Sequence, residues 1–143
     1  MRLAVLKYIF LLGLGLLPSS LFAQERVPCS VQLYFENDEF GPAAEYHLIA
    51  QITNRTGRPV TGAAVLYYDG TGEFIGNVEL NCALERPPLF SGSTGQCSSK
   101  LQTIDGKMME KFGTDMWTDI VNFQLQKLDS IQSCEVAGYR YAP

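Results

Sequence analysis

The sequence has a single histidine, His47, and none of its four cysteines lies within two to four residues of another. Any Ser-His-Asp or Cys-His catalytic device would have to use that one imidazole, which lies mid-strand on the polar side of an alternating segment. The cysteines lack the short spacing of zinc knuckles and of thiol-redox motifs. We therefore expect no catalytic residue, no cofactor and no metal site.

Long apolar runs are also scarce, and the only one lies at the start of the chain. Two basic residues precede an apolar stretch at residues 8–17, and a proline and small residues follow it. This order is typical of a secretory signal peptide, and the run is shorter than the ~20 residues that span a bilayer. We expect cleavage of residues 1–23, leaving residues 24–143 as a single secreted or periplasmic domain without membrane insertion. The alternative is an uncleaved membrane anchor.

Positive charge is sparse in the rest of the chain. Two of the 11 basic residues belong to the predicted signal, which leaves 9 against 15 acidic residues and a net charge of −6. Nucleic acid and anionic membranes require a concentrated positive surface, so neither is expected as a partner. A neutral or basic exported protein is compatible with this charge, although the charge also serves solubility alone.

All four cysteines lie in residues 24–143, and an even number in an exported chain favours two disulfides. Three pairings are possible. We favour Cys82 with Cys97, which closes a local loop, and Cys29 with Cys134, which joins the first strand to the last.

Most of the remaining sequence alternates between apolar and polar residues, the pattern of half-buried strands. Strands are predicted at residues 29–35, 45–53, 63–68, 74–80, 97–101, 121–125 and 131–139. An acidic loop is predicted at 36–44, a hairpin turn at 69–72 and one short helix at 105–112. Short strands with frequent turn signals favour an antiparallel β-sandwich over a barrel. The predicted fold class is therefore mainly β, with one short helix and two disulfides.

A central segment resembles a known family. Residues 49–60 read Ile-Ala-Gln-Ile-Thr-Asn-Arg-Thr-Gly-Arg-Pro-Val, and residues 64–76 read Ala-Val-Leu-Tyr-Tyr-Asp-Gly-Thr-Gly-Glu-Phe-Ile-Gly. This segment, residues 49–76, resembles the FxLYD-type immunoglobulin-like modules of exported bacterial proteins, with one extra Tyr in the Leu-Tyr-Asp signature. The resemblance implies an immunoglobulin-like sandwich with a binding or structural role, and it transfers no functional residue.

The best functional candidate is the loop at residues 84–94. It contains an arginine, two prolines that limit disorder and two large apolar residues, and Cys82 and Cys97 flank it. A clamped loop loses less entropy on binding, and arginine beside an aromatic residue is common in binding hot spots. The alternative is that its apolar residues only cover the end of the sandwich. The candidate binding residues are Arg86, Pro87, Pro88, Leu89 and Phe90.

Three further patterns have simpler interpretations. The acidic residues at 36–39 lack the spacing of a calcium loop, which favours a solvated loop. Asn54-Arg55-Thr56 has the form of an acceptor for N-linked sugar. Met116 and Trp117 follow the predicted helix and are expected to plug the open edge of the core, with a second apolar contact surface as the alternative.

These observations favour a non-enzymatic interaction module that presents loop 84–94 to another exported protein, as an inhibitor or an envelope accessory. One alternative is a small exported hydrolase or metal-dependent enzyme on the same fold, which the scarcity of histidine disfavours. Another is a structural subunit of a surface assembly, which differs in partner and stoichiometry.

Overall fold

Six strands and two helices make up the chain in a computed structural model that describes residues 24–84 and 86–143. The predicted signal peptide, residues 1–23, lies outside the described residues. The elements in chain order are β1 (Arg26–Asp38), β2 (Gly41–Thr53), β3 (Val60–Asp69), β4 (Phe74–Asn81), β5 (Thr94–Ile104), α1 (Gly106–Phe112), α2 (Thr114–Leu128) and β6 (Ile131–Tyr141).

All six strands are antiparallel to their neighbours and lie in one closed sheet, in the order β1-β2-β5-β4-β3-β6. Two sets of three strands pair over most of their length, namely β1-β2-β5 and β4-β3-β6. The two seams between these sets are short. β4 meets β5 at the single pair Asn81↔Ser98, and β1 meets β6 at three pairs, from Arg26↔Glu135 to Pro28↔Ser133.

Each seam carries one disulfide. Cys82–Cys97 lies beside the β4–β5 pair, and Cys29–Cys134 crosses between β1 and β6. The pairing favoured from the sequence is therefore confirmed, as is the mainly β fold class. Covalent links hold the sheet closed where few backbone hydrogen bonds do.

The immunoglobulin-like sandwich is not confirmed, because the strands form one closed sheet. A sandwich has two sheets with separate edges, whereas here β1 pairs with both β2 and β6, and β5 pairs with both β2 and β4. The two sets of three strands are thus joined at both sides.

The acidic loop predicted at 36–44 is wrong. β1 and β2 stay paired as far as Asp38↔Gly41, and a tight turn connects them. Asp38 Oδ1 accepts a hydrogen bond from the Phe40 backbone N–H at 2.8 Å, and Gly41 adopts a φ of 134° that glycine tolerates. The acidic residues therefore lie in the last part of β1 and in the turn that connects it to β2.

The hairpin turn predicted after β3 is confirmed. Asp69 Oδ1 accepts hydrogen bonds from the backbone N–H groups of Thr71 and Glu73, both at 2.9 Å, and from the Thr71 hydroxyl at 2.7 Å. The Thr71 hydroxyl contributes most to lowering the pKa of Asp69, followed by the Glu73 N–H. An ionised Asp69 thus organises the turn.

The short helix is confirmed as α1, where Asp105 caps the N-terminus by accepting from the Met108 N–H at 3.2 Å. The strand predicted at 121–125 is wrong, because these residues belong to α2. Trp117, Val121 and Leu125 recur every four residues and pack toward the core, which is helical spacing. Phe123, which completed the apparent alternation, is 67% exposed.

The core fills the inside of the closed sheet, and α2 lies across one end of it. Tyr46 is fully buried, and its hydroxyl donates to the Val121 carbonyl of α2 at 2.7 Å. Trp117 is buried as expected and lies against the Phe35 ring with centroids 6.1 Å apart, while Met116 stays half exposed. Neither helix of the described residues has the length and apolar character to cross a bilayer.

Candidate functional site

The two ends of the closed sheet differ in what they carry. At one end β1 begins, β6 ends, and the connections 54–59 and 82–93 link β2 to β3 and β4 to β5. We call this end the loop rim. The other end, the helix rim, carries the β1–β2 and β3–β4 turns and the helical connection 105–130. The candidate loop at 84–94 therefore lies at the loop rim.

A buried asparagine joins the two connections of the loop rim. Asn54 is 0% exposed, and its Nδ2 group donates to the Arg58 carbonyl at 2.8 Å and to the Leu89 carbonyl at 2.7 Å. Its Oδ1 accepts from the Thr56 N–H at 2.9 Å and the Thr56 hydroxyl at 2.7 Å. The side-chain amide thus uses both of its N–H donors and accepts two hydrogen bonds.

Backbone hydrogen bonds complete this link. The Asn54 N–H donates to the Ser93 carbonyl at 2.9 Å, and the Gly92 N–H donates to the Asn54 carbonyl at 2.7 Å. Val60 and Leu89 exchange two further hydrogen bonds, both at 2.9 Å. The connections 54–59 and 82–93 are therefore held as one surface.

The predicted site residues separate into an anchor and an exposed set. Leu89 is buried, so it anchors the loop and is not available to a partner. Phe90 follows it and is 59% exposed, while Arg86 and Pro87 are exposed and Pro88 is half-buried. Leu89 thus covers the end of the core, and Phe90 faces outward. The covering role that was the alternative to binding therefore applies to Leu89 and not to Phe90.

Two residues of the loop rim were not predicted from the sequence. The Arg58 guanidinium lies over the Tyr141 ring, 4.4 Å from its centroid. Val60 pairs with Tyr141, and the Pro59 carbonyl accepts from the Ala142 N–H, so the end of β6 is attached to the turn. The turn formers at 54–59 indicated a bend, but no local signal indicated which residues pack against it.

The possible sugar acceptor has no free amide in the folded chain. Both Nδ2 hydrogens of Asn54 are donated to backbone carbonyls, those of Arg58 and Leu89, and the side chain has no exposed surface. Asn54 therefore acts as a structural residue in the folded state.

A second polar cluster lies on the outer face of β1, β2 and β5. Lys100 Nζ is 2.7 Å from Glu45 Oε1, His47 Nε2 is 3.0 Å from Glu45 Oε2, and the Tyr34 ring meets the His47 ring edge-on at 5.1 Å. The Lys100 hydrogen bond, and then that of His47, lowers the pKa of Glu45. Among the described residues, Glu45 is the only side-chain hydrogen-bond partner of His47. This arrangement links three strands.

The described residues form no pocket, and no three of their His, Cys, Asp and Glu side chains are placed to hold a metal ion. What this chain offers a ligand in residues 24–84 and 86–143 is therefore its outer surface. Comparison with known proteins finds no matching family model, no matching curated protein and no matching solved structure.

Proposed function

We propose that the protein is a non-enzymatic interaction module that presents its loop rim to another exported protein. The observation that carries this proposal is the Asn54 link, which holds two connections as one surface with exposed arginine and aromatic side chains. A preorganised surface loses less conformational entropy on binding, and arginine and aromatic residues dominate binding hot spots.

Two features support a secreted or periplasmic location. Both disulfides are formed, and disulfides persist in oxidising compartments. The signal peptide predicted at the start of the chain agrees with this placement. The proposed relation to FxLYD-type immunoglobulin-like modules fits the same non-enzymatic role, since residues 49–76 cover the end of β2, the 54–59 turn, β3 and the start of β4.

The arrangement around His47 supports a binding role over the alternative hydrolase. A nucleophile is activated when a general base lies within hydrogen-bonding distance of it. Among the described residues, no hydroxyl or thiol side chain hydrogen-bonds the His47 ring, and its side-chain partner, Glu45, also bonds Lys100. The Glu45–Lys100 contact is a cross-strand charge pair.

The test begins with recovery of the partner by pull-down from the native envelope fraction. The affinity of the purified partner is then measured for wild-type protein and for the variants Arg86→Ala and Phe90→Ala. Both residues are exposed, so both variants should keep the wild-type melting temperature. Each should weaken binding by roughly tenfold or more, as expected for a hot spot.

Matched controls come from the helix rim. Phe123→Ala removes an exposed aromatic residue, and Lys127→Ala removes an exposed cation, so both should leave the affinity unchanged. Unchanged affinity in Arg86→Ala and Phe90→Ala, or an equal loss in the controls, would contradict the proposal.

A further inference from the structure

Charge is distributed unevenly between the two ends of the sheet. The two connections of the loop rim, residues 54–59 and 82–93, carry Arg55, Arg58 and Arg86 with one acid, Glu85, and no lysine, and Arg140 lies near the end of β6. The helical connection at the other end carries Asp105, Glu110, Asp115, Asp119 and Asp129 with three lysines. The net charge of −6 predicted for residues 24–143 therefore does not describe the loop rim.

Two of the loop-rim arginines are already paired within the molecule. Arg140 Nη1 lies 2.7 Å from Glu79 Oε1, and Arg55 Nε lies 3.6 Å from Glu25 Oε1. Among the described residues, Arg58 and Arg86 have no carboxylate within ion-pair distance. Within the described part of the loop rim, these two guanidinium groups are the ones without a carboxylate partner.

Arg58 is held in a position that suits a carboxylate. Its guanidinium lies over the Tyr141 ring, and this contact limits the conformations of the side chain. The N–H donors of a guanidinium lie in its own plane, and they can make the two-point hydrogen bonding that carboxylates accept. The loop rim thus presents a fixed donor.

The 82–93 connection also presents apolar side chains at the loop rim. Leu84 and Phe90 are 61% and 59% exposed. The Asn54 amide bonds the carbonyls of both Arg58 and Leu89, so the backbone before Phe90 is held next to the backbone of Arg58. A ligand that fits this surface has an anionic group close to an apolar one.

We propose that the loop rim recognises a polypeptide segment of another protein that carries a carboxylate beside an apolar side chain. This inference rests on the proposed binding function and specifies the chemistry of the partner. Polyanions such as nucleic acid are disfavoured because two guanidinium groups are few for them and the rest of the molecule is acidic. Self-association is a separate outcome of the test. The helix rim of a second copy also carries a carboxylate near apolar side chains, since Asp119 is close in sequence to the exposed Met116 and Phe123.

The probe is a library of random peptides displayed on phage and selected against the immobilised, disulfide-intact protein. We expect the enriched peptides to carry Asp or Glu next to an aromatic or aliphatic residue. Added salt should weaken their binding, because part of the attraction is between exposed charges. Sedimentation of the protein alone should remain independent of its concentration.

Charge reversal gives the decisive comparison. Arg58→Glu should weaken the selected peptides by roughly a hundredfold, and Arg58→Lys by roughly tenfold, because lysine keeps the charge and loses the planar donor pair. Lys127→Glu, the matched reversal at the helix rim, should leave their affinity unchanged. Circular dichroism and melting temperature check that each variant is folded.

Different results would overturn the acidic partner alone or the binding role of the loop rim as well. Neutral or basic peptides that lose binding in Phe90→Ala but not in Arg58→Glu would overturn the acidic partner and leave the loop rim as a binding surface. Peptides that bind all loop-rim variants equally would overturn both proposals. The absence of enriched peptides, or concentration-dependent self-association abolished by Asp119→Arg, would also overturn the proposed partner chemistry.

Discussion

Asn54 is the residue on which both connections of the loop rim depend. Its buried amide makes four side-chain hydrogen bonds, to the Arg58 and Leu89 carbonyls and to Thr56. A satisfied buried amide is costly to remove, because its partners lose hydrogen bonds, and the bond to the Leu89 carbonyl is buried. Asn54 therefore affects both the stability of the fold and the position of the two connections that form the candidate site.

Asn54→Ala is expected to lower the free energy of unfolding by about 2 kcal/mol, since it leaves buried polar groups with fewer partners. Urea denaturation measures this change. Asn77→Ala, at an exposed position of β4, is the control and should change stability by less than ~0.5 kcal/mol. Equal effects of the two substitutions would show that the Asn54 hydrogen bonds do not secure the rim.

The Glu45–Lys100 pair should give a pH-dependent contribution to stability. Lys100, followed by His47, lowers the pKa of Glu45 below its usual 4.5, so the folded state favours the ionised carboxylate. This stabilisation is present above the unfolded pKa and is lost as the pH falls through the lowered folded pKa. Lys100→Met should therefore be less stable than wild type near neutral pH.

The difference between Lys100→Met and wild type should shrink as the pH falls through the lowered pKa of Glu45. Urea denaturation at a series of pH values measures it, with Lys127→Met as the control for removal of an exposed lysine. If the difference in unfolding free energy between Lys100→Met and wild type does not depend on pH, Lys100 contributes by packing alone.

The sequence predicted part of this residue-level account. Arg86 and Phe90 were chosen for their chemistry, and both are exposed. The roles of Asn54, Arg58 and Tyr141 depend on contacts between distant parts of the chain, such as the Asn54–Leu89 bond across 35 residues. Local patterns carry no information about such contacts.

Helix α2 is the element that closes the end of the sheet opposite the site. Its attachment includes the Tyr46 hydroxyl, which donates to the Val121 carbonyl from a fully buried position. Tyr46→Phe keeps the ring and removes this bond, so we expect a loss of about 1 kcal/mol. Faster hydrogen exchange should appear in the amides of α2.

Tyr34→Phe is the matched control for this substitution. The Tyr34 hydroxyl bonds Gln32 at an exposed position, so its loss should change stability by less than ~0.5 kcal/mol. If Tyr46→Phe leaves stability and the exchange of α2 unchanged, the hydroxyl does not secure the helix.

Most elements follow from local sequence, and α2 is the instructive exception. Val121, Phe123 and Leu125 alternate with polar residues, which predicted a strand over a short window. The longer spacing from Trp117 through Val121 to Leu128 fits one helix face, and these side chains pack toward the core. When a segment fits both the two-residue period of a strand and the 3.6-residue period of a helix, a short window favours the strand.

At the scale of the whole molecule, the two disulfides lie at the two seams where the sheet closes. The β4–β5 seam has one residue pair and the β1–β6 seam has three, and each seam is cross-linked. Individual strands follow from alternation, but closure requires β1 to meet both β2 and β6. The contact between β1 and β6 joins residues far apart in sequence. The alternation of apolar and polar residues therefore did not distinguish one closed sheet from a two-layer sandwich.

Removal of each disulfide should have a different effect. Replacing Cys29 and Cys134 by alanine opens a link across 105 residues, and replacing Cys82 and Cys97 opens one across 15. In the chain-entropy model these losses are about 4.7 and about 3 kcal/mol. Guanidinium denaturation measures both, and a larger loss for the shorter link would contradict this order.

Site-specific photo-crosslinking in the native host tests most directly whether the loop rim is the surface that meets a partner. A photoreactive phenylalanine analogue replaces Phe90 in the full chain, and in a second strain it replaces Phe123 at the helix rim. Both positions are more than half exposed, so both report on contacts with other proteins. We predict a light-dependent adduct with another exported protein from position 90 and none from position 123. An adduct from position 123 alone would contradict a partner surface at the loop rim.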